Sequence, residues 1–468
     1  MISRIARKEL TEMFRDGRFR LLAGMVLVIS VLSLAAGWQN YSALSRQHAT
    51  AQSATRTQWL EQDRKNPHSA AHYGVYAFKP KSQLAMVDTG VDPYMGVAVW
   101  LEAHKQNDFK FRPAQDRTAV QRFGEMTGAE VLQVFLPLFI VLMTFSAFSG
   151  EREQGTLRQV LSLGVSRRDL ALGKALGVSA ALGLVLLPAT VMAVLALAWS
   201  AEGGLVSGDP VRGVLLGGVY LAYFALLIAV SLAVSARVKS SRLALIGLLT
   251  FWFANSLVAS RAASDLSGWL YPTPSAIEFQ KAMDADLNNE ADMRQRLEKR
   301  RAEVLKQYQV DNVDALPIAF SGISMQEGEE HGNEVFDKHY GQLFDRYEQQ
   351  NRVYQAGGVL APMLAVRAVS MGLAGTDFPQ HRHFARAAEQ YRRDIQRLMN
   401  GDIATNQKPG QTYLADQALW ASVPDFQYTA PSTSWVLGNY TASLFVLALW
   451  TVLALVFMVR SADVARAD

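Results

Sequence analysis

The chain has 468 residues, half of them hydrophobic and 19% charged, with a formal net charge of +4. That is too apolar for an average soluble protein and too charged for a chain lying wholly in lipid, so membrane spans and extramembrane domains are both expected. It has no cysteine, which excludes disulfides, thiolate zinc sites and cysteine nucleophiles and leaves an oxidising compartment open.

Residues 1–20 open the chain as an amphipathic helix. Ile5, Leu10, Met13 and Phe14 form its apolar side, and Arg and Lys residues the other. This is the pattern of a helix that lies in the membrane interface. A first span follows at 21–38. The flank before it is long and carries Glu9, Glu12 and Asp16, so it reads as an uncleaved signal anchor rather than a cleavable leader.

Five more stretches reach the ~20 apolar residues that a bilayer requires. They divide the chain into a first outer domain at 39–130, a second span at 131–149 and a short charged segment at 150–174. The third to fifth spans lie within 175–258, a second outer domain at 259–434, the sixth span at 435–459 and a tail at 460–468. Arg15, Arg18 and Arg20 precede the first span, and Arg152, Arg158, Arg167, Arg168 and Lys174 follow the second. Arg237, Lys239 and Arg242 follow the fourth, and Arg460 and Arg466 the sixth. The loop at 200–211 has no Lys or Arg, and Arg212 stands at its edge. By the positive-inside rule both termini are cytoplasmic. Trp38, Trp199 and Trp435 mark the outer ends of spans.

The first outer domain reads as mixed. Tyr41–Gln62 is polar and helix-compatible. Tyr73–Phe78 and Gln83–Val87 predict the strands of a hairpin around Pro80-Lys81-Ser82. Tyr94–His104 is aromatic and partly apolar and is expected on the membrane surface. The second outer domain reads as mostly helical. Ala276–Tyr308 has no Gly or Pro and predicts one long helix. Phe336, Tyr340, Leu343, Tyr347 and Tyr354 stripe one further helix, and Phe384, Ala388, Tyr391, Ile395 and Leu398 stripe another, so these two are expected to pack on each other. Val359–Ala374 is too short to span and is expected as a buried core helix or an interfacial one. Thr376 or Asp377 is placed to cap the helix after it. The fold class is thus a mainly α membrane protein with six transmembrane helices and two extracytoplasmic insertions, the first mixed α/β and the second mostly helical.

Few side chains point to chemistry. No G-x-x-x-x-G-K-[ST] loop occurs. Gly173-Lys174 is followed by Ala175, and Arg168 stands where the first glycine belongs, so the chain cradles no nucleotide by that device. All eight histidines fall in the outer domains. His68 and His72 have the spacing of one helical face, but Pro67 and Gly74 argue against a helix there. His381 and His383 are two apart, and no H-E-x-x-H is present, so no metal site is expected. Glu327, Glu329 and Glu330 around Gly328 read as a solvated acidic turn with no nucleophile beside it, and no catalytic residue is expected. Within the spans, Asn255 and Asn439 either pack helices together or line a translocation path. Pro137 and Pro188 predict kinks. The near absence of charge in the spans argues against a proton- or sodium-driven carrier.

The segment 150–174, GEREQGTLRQVLSLGVSRRDLALGK, predicts two short helices at the cytoplasmic surface. Leu157, Val160, Leu161 and Val165 form an apolar side. Gly155-Thr156 offers a cap and Gly164 a second break. A charged helix pinned between two spans is placed to be gripped by a soluble partner. The pattern Glu151-x-Glu153-x-Gly155-Thr156-Leu157-Arg158, with Ser166-Arg167 and Lys174 after it, resembles the signature that follows the second span of type-2 ABC transporter permeases. The six-span plan and the amphipathic first helix match that family too. His68–Ala85, Tyr94–Phe109 and Ser370–Arg392 resemble a subgroup of these permeases with two large periplasmic domains.

That resemblance implies a type-2 ABC exporter architecture, with residues 1–20 as the elbow helix. It implies that Glu151, Glu153, Gly155, Thr156, Leu157, Arg158 and Arg167 belong to a coupling helix seated in a separate ABC ATPase subunit. ATP and Mg2+ would bind at that partner, with no cofactor on this chain, which is not catalytic alone. A second permease copy, or a similar permease, would complete the complex in the lipid bilayer, exporting or extruding a substrate. The alternative implied is a membrane subunit that transmits force to a periplasmic protein or lipoprotein without moving a solute. Nucleic acid has no place in either scheme. The large second outer domain departs from the common exporter plan, so the substrates of small-loop relatives do not carry over.

Overall fold

The computed structural model describes residues 1–115, 126–199, 209–408 and 411–464. Most of the loop expected at 200–211 and Arg466 lie outside them. Among the described residues, six helices are long and apolar enough to cross a membrane: Gly17–Leu60, Gly128–Glu153, Arg167–Trp199, Pro210–Arg237, Ser241–Leu270 and Thr433–Asp463. The N-terminal helix Ile2–Arg15 precedes them, and Asp16 separates it from the first span by accepting a hydrogen bond from Arg18 N at 2.8 Å. Such a carboxylate cap satisfies one of the orphan donors at a helix start.

Several spans run well past their apolar stretches. The first is one helix of 44 residues, ~66 Å long at 1.5 Å per residue. The polar stretch at 41–62 is therefore largely its continuation. The second span begins at a capping box between Thr127 and Glu130 and passes through a π turn, Val131–Phe135, just before Pro137. Such turns absorb the irregularity that a proline imposes on the helical ladder. The fifth has a π turn at Ala254–Val258 and continues as far as Leu270. The fourth is the central span. Tyr220, Tyr223, Phe224, Leu227 and Leu232 are buried in the main core with Phe139, Ile140, Leu447 and Met458.

The first insertion differs from the expected hairpin. Strands β1 (Val75–Phe78), β2 (Ala98–Glu102) and β3 (Lys105–Gln106) form an antiparallel sheet in that order. Val75 pairs with Leu101, and Phe78 with Ala98. The partner of β1 thus comes from 94–104, the stretch expected on the membrane surface. Gln83–Met86 is a 3-10 turn capped by Ser82. Its apolar residues are consecutive and do not alternate, and Leu84, Ala85 and Met86 are all buried, whereas a strand with one wet face alternates. Val99 and Leu101 on β2 join Trp59, Ala77, Phe384 and Trp420 in a second core. Pro67–Tyr73 is a helix after all. Pro67 occupies its first turn, where the missing N–H costs nothing, and Gly74 closes it at φ +68°. Proline and glycine there are start and stop signals, not breakers.

The second insertion is helical. The single helix expected at 276–308 is two, Ala276–Leu287 and Glu290–Tyr308, because Asn289 caps a new start by accepting from Asp292 N. The long helices Phe320–Ala356 and Phe378–Asn406 pack together; the first buries Phe336 and Tyr340, the second Phe384, Ala388 and Ile395. The acidic turn expected at 327–330 is instead the interior of the first of these, with Glu329 buried. Asp377 caps the second by accepting from Gln380 N at 3.1 Å. Pro362–Ala374 is a buried helix wedged among the spans. Its Ser370 hydroxyl lies 2.9 Å from the Tyr220 hydroxyl of the fourth span. A Cβ on Gly372 would run into the Tyr440 ring of the sixth.

A candidate coupling surface

The second span ends in the short helix Ser149–Glu153, and a second short helix, Thr156–Ser162, leads from it to the third. Gly155 links them at φ +74° with no neighbour near its Cβ position, and Gly164 ends the second at φ +80°. Both need the left-handed conformation that glycine adopts without penalty. Leu157 is 1% exposed and belongs to the main core with Ile5, Phe148 and Leu170. Arg158, Gln159 and Ser162 face outward. Leu163, at the tip, is 80% exposed.

The inner side of this segment is tied to almost every neighbouring helix end. Arg152 donates to the Val238 carbonyl at 2.6 Å and the Ala236 carbonyl at 2.8 Å. These are carbonyls at the end of the fourth span, where a cation is favoured by the helix dipole. Ser235 Oγ accepts from Phe148 N and Ser149 N. Glu153 accepts from Ser241 N and Ser241 Oγ, both at 2.8 Å, at the start of the fifth span. Arg167 donates to the Asp463 carbonyl at 2.6 Å, and Arg168 pairs with the Asp463 carboxylate, both at the end of the sixth. The Thr156 hydroxyl donates to the Glu151 carbonyl and braces the turn.

The N-terminal helix is held by a buried charge cluster. Lys174 is 1% exposed; its Nζ lies 2.6 Å from Glu9 Oε1 and 2.9 Å from Glu151 Oε1, over the Phe148 ring. Lys8 lies 3.5 Å from Glu151 and balances the second carboxylate. The approach that allows this depends on Gly173 and Gly177. A Cβ on Gly173 would meet Ile5 at 2.5 Å, and one on Gly177 would meet Glu9 Cβ at 2.6 Å. Small residues four apart let two helix backbones come close.

The structure thus separates the seven coupling residues expected from sequence. Glu151, Glu153 and Arg167 bind the segment to the rest of the chain, Gly155 and Thr156 shape it, Leu157 anchors it, and Arg158 is exposed. Sequence reasoning missed Glu9 and the burial of Lys174, which reads in sequence only as a topology charge. The Gly173-x-x-x-Gly177 spacing was the available signal. Asn255 is buried between helices. It donates to the Tyr223 hydroxyl at 3.0 Å and accepts from Met363 N at 3.2 Å, near the start of the wedged helix. Asn439 is exposed and donates to the Trp435 carbonyl one turn back.

The fold and this surface define a multi-pass membrane protein whose span ends gather on one exposed helical segment. Residues 3–298 match the family model described as ABC-2 family transporter protein, and residues 276–429 match a domain of unknown function, DUF3526. The chain belongs to the ABC-2 transporter family, whose members are the transport membrane subunits of ABC systems. That membership implies an ABC ATPase as partner and a lipid bilayer as solvent. No curated protein matches the chain.

Proposed function

We propose that the segment 150–174 is the coupling element of an exporter-type ABC permease. It seats in a separate ATPase subunit that binds ATP and Mg2+, and two permease chains pair with two such subunits in a bacterial inner membrane. Both termini are then cytoplasmic, and both insertions face the other side. ATP-driven closure of the ATPases pushes on the tip at Arg158 to Leu163. The observation that carries this reading is the convergence of the fourth, fifth and sixth span ends and the N-terminal helix on one short segment with an exposed tip. A displacement of the tip reaches all of them without passing through a flexible linker. Discrete packed arrangements, rather than continuous bending, carry such motions.

The test replaces the tip and leaves the inner side intact. Leu163→Glu combined with Arg158→Glu is expected to lower co-purification of the ATPase at least about tenfold, since anchors at the centre of an interface carry most of its energy. The variant chain itself should elute from gel filtration as the parent does. Full retention of the ATPase, with unchanged ATP turnover in nanodiscs, would overturn the assignment.

A further inference from the structure

Three imidazoles meet where the two insertions touch. His68 and His72 lie one turn apart on the helix Pro67–Tyr73, and His104 stands in the turn between β2 and β3. The ring centroids are 4.8 Å apart for His68 and His72, 4.8 Å for His68 and His104, and 4.9 Å for His72 and His104. One ring nitrogen of each lies within 4.8 Å of the others. His68 Nε2 and His104 Nε2 are 3.0 Å apart.

The groups behind the rings fix their orientation. His68 Nδ1 lies 3.2 Å from Asn400 Oδ1, and Asn400 is itself oriented by donating to Gln326 Oε1 at 3.1 Å. His104 Nδ1 lies 2.6 Å from Glu329 Oε1, whose side chain is 1% exposed and 3.7 Å from Arg392. An amide oxygen and a carboxylate only accept, so each Nδ1 carries a hydrogen and a neutral ring turns its Nε2 lone pair toward the other ring. An Nδ1–H held by a carboxylate or carbonyl is the outer support found behind metal-bound histidines. Nitrogens on a tetrahedral zinc at ~2.0–2.1 Å lie ~3.3 Å from one another, within a few tenths of an ångström of the separation between the two Nε2 atoms. His104 also has φ +61°. A non-glycine residue seldom occupies that region, and such conformations gather at functional sites.

We propose that His68, His72 and His104 bind a divalent transition-metal ion of the Zn2+ or Cu2+ type. Imidazole sets suit these ions. Three protein ligands leave a fourth position open, and His72 and His104 are exposed, so the bound ion stays within reach of exchange with solvent. All three ligands come from the first insertion, while Glu329 and Asn400 come from the second. Metal binding therefore tightens the contact between the two. The competing arrangement is a proton shared by His104 and His68. The hydrogen bond to Glu329 raises the His104 imidazole above its ordinary value, and burial lowers that of His68. A shared proton gives His72 no part and takes up no metal.

The experiment uses the full chain in detergent, without a histidine tag, titrated with Zn2+ alone and Cu2+ alone by calorimetry. Metal content after gel filtration gives the stoichiometry. Saturable binding of about one ion per chain is expected. His68→Ala or His72→Ala should weaken it by more than about 100-fold, and Glu329→Gln, which keeps all three ligands, by about 10–100-fold. His72 is exposed, so His72→Ala should leave the thermal midpoint of the metal-free chain unchanged and remove only the rise that Zn2+ produces. No saturable uptake by the parent chain, or uptake unaltered in His72→Ala, would overturn the site.

Discussion

Lys174 Nζ lies 2.6 Å from Glu9 Oε1, so the root of the third span and the N-terminal helix are joined by an ion pair with almost no contact with solvent. Glu151 shares the same ammonium. Removing the lysine would leave two poorly solvated carboxylates sharing Lys8, half-exposed and 3.5 Å or more from either, as their one remaining cation. Breaking one side of a buried pair costs about 3–5 kcal/mol. Lys174→Met is therefore expected to lower the thermal midpoint of the purified chain sharply. Adding Glu9→Gln should recover part of the loss, since the remaining carboxylate keeps Lys8. A double variant no more stable than Lys174→Met would show that the pair is not coupled.

The same contact depends on the missing Cβ at Gly177. Gly177→Val forces the N-terminal helix away from the third span, and overpacking of this kind costs about 1–3 kcal/mol. The chain has no cysteine, so the movement can be read directly. Ile5→Cys, buried in the parent, should react with a maleimide several-fold faster in the Gly177→Val background. Equal rates would mean that the helix tolerates the side chain without moving.

Asn255 and Asn439 differ in what their loss exposes. Asn255→Leu strands Met363 N and takes one donor from the Tyr223 hydroxyl, and an unsatisfied buried group costs about 1–3 kcal/mol. Asn439→Leu removes an exposed bond to the preceding turn and is expected to change stability by less than about 0.5 kcal/mol. Thermal midpoints of the two variants in one detergent decide the matter. A larger loss for Asn439→Leu would reverse the roles of the two asparagines.

A buried pair in the first insertion makes stability depend on acid. Lys79 Nζ lies 2.6 Å from Asp92 Oδ1. Burial alone would push the Asp92 carboxyl up, but Lys79 and Lys81 beside it hold it below the ordinary value. A carboxyl lowered in the folded state contributes stability that is complete above its unfolded pKa, ~3.9, and is lost as the pH falls through the folded value. The parent chain should therefore lose stability below about pH 4. Asp92→Asn should be less stable at neutral pH and show a shallower acid dependence. Parallel curves for the two chains would remove Asp92 from the account.

Most of what was legible in the sequence rested on long periodic signals. The six spans and the aromatic stripes of Phe320–Ala356 and Phe378–Asn406 follow from apolar spacing over many residues; the same signal gives the helix at 362–374 but leaves open whether it is buried or interfacial. What misleads are short segments whose state is set by distant partners. Gln83–Met86 has strand-like residues, but its apolar run packs against spans rather than a sheet. Pro67 and Gly74 look like breakers, yet their positions make them the ends of a helix of about two turns. Glu329 looks solvated because its partners, His104 and Arg392, lie far away in the chain. For the candidate site, the turn glycines and the core leucine were readable locally. The ties from Arg152, Glu153 and Arg167 were not, because their acceptors and donors lie on other spans.

The wedged helix Pro362–Ala374 has a consequence for how such a chain is taken apart or recombined. It lies inside the stretch 276–429 that matches a separate domain family, yet its Ser370 bonds to the fourth span and to Asp88 of the first insertion, at 2.9 and 2.5 Å. Cutting at the edges of that stretch would expose an apolar helix on the excised piece and leave a trench in the remainder. The unit of inheritance is thus not a unit of folding. A chimaera that exchanges this stretch between two permeases will need the facing residues of the fourth and sixth spans to travel with it.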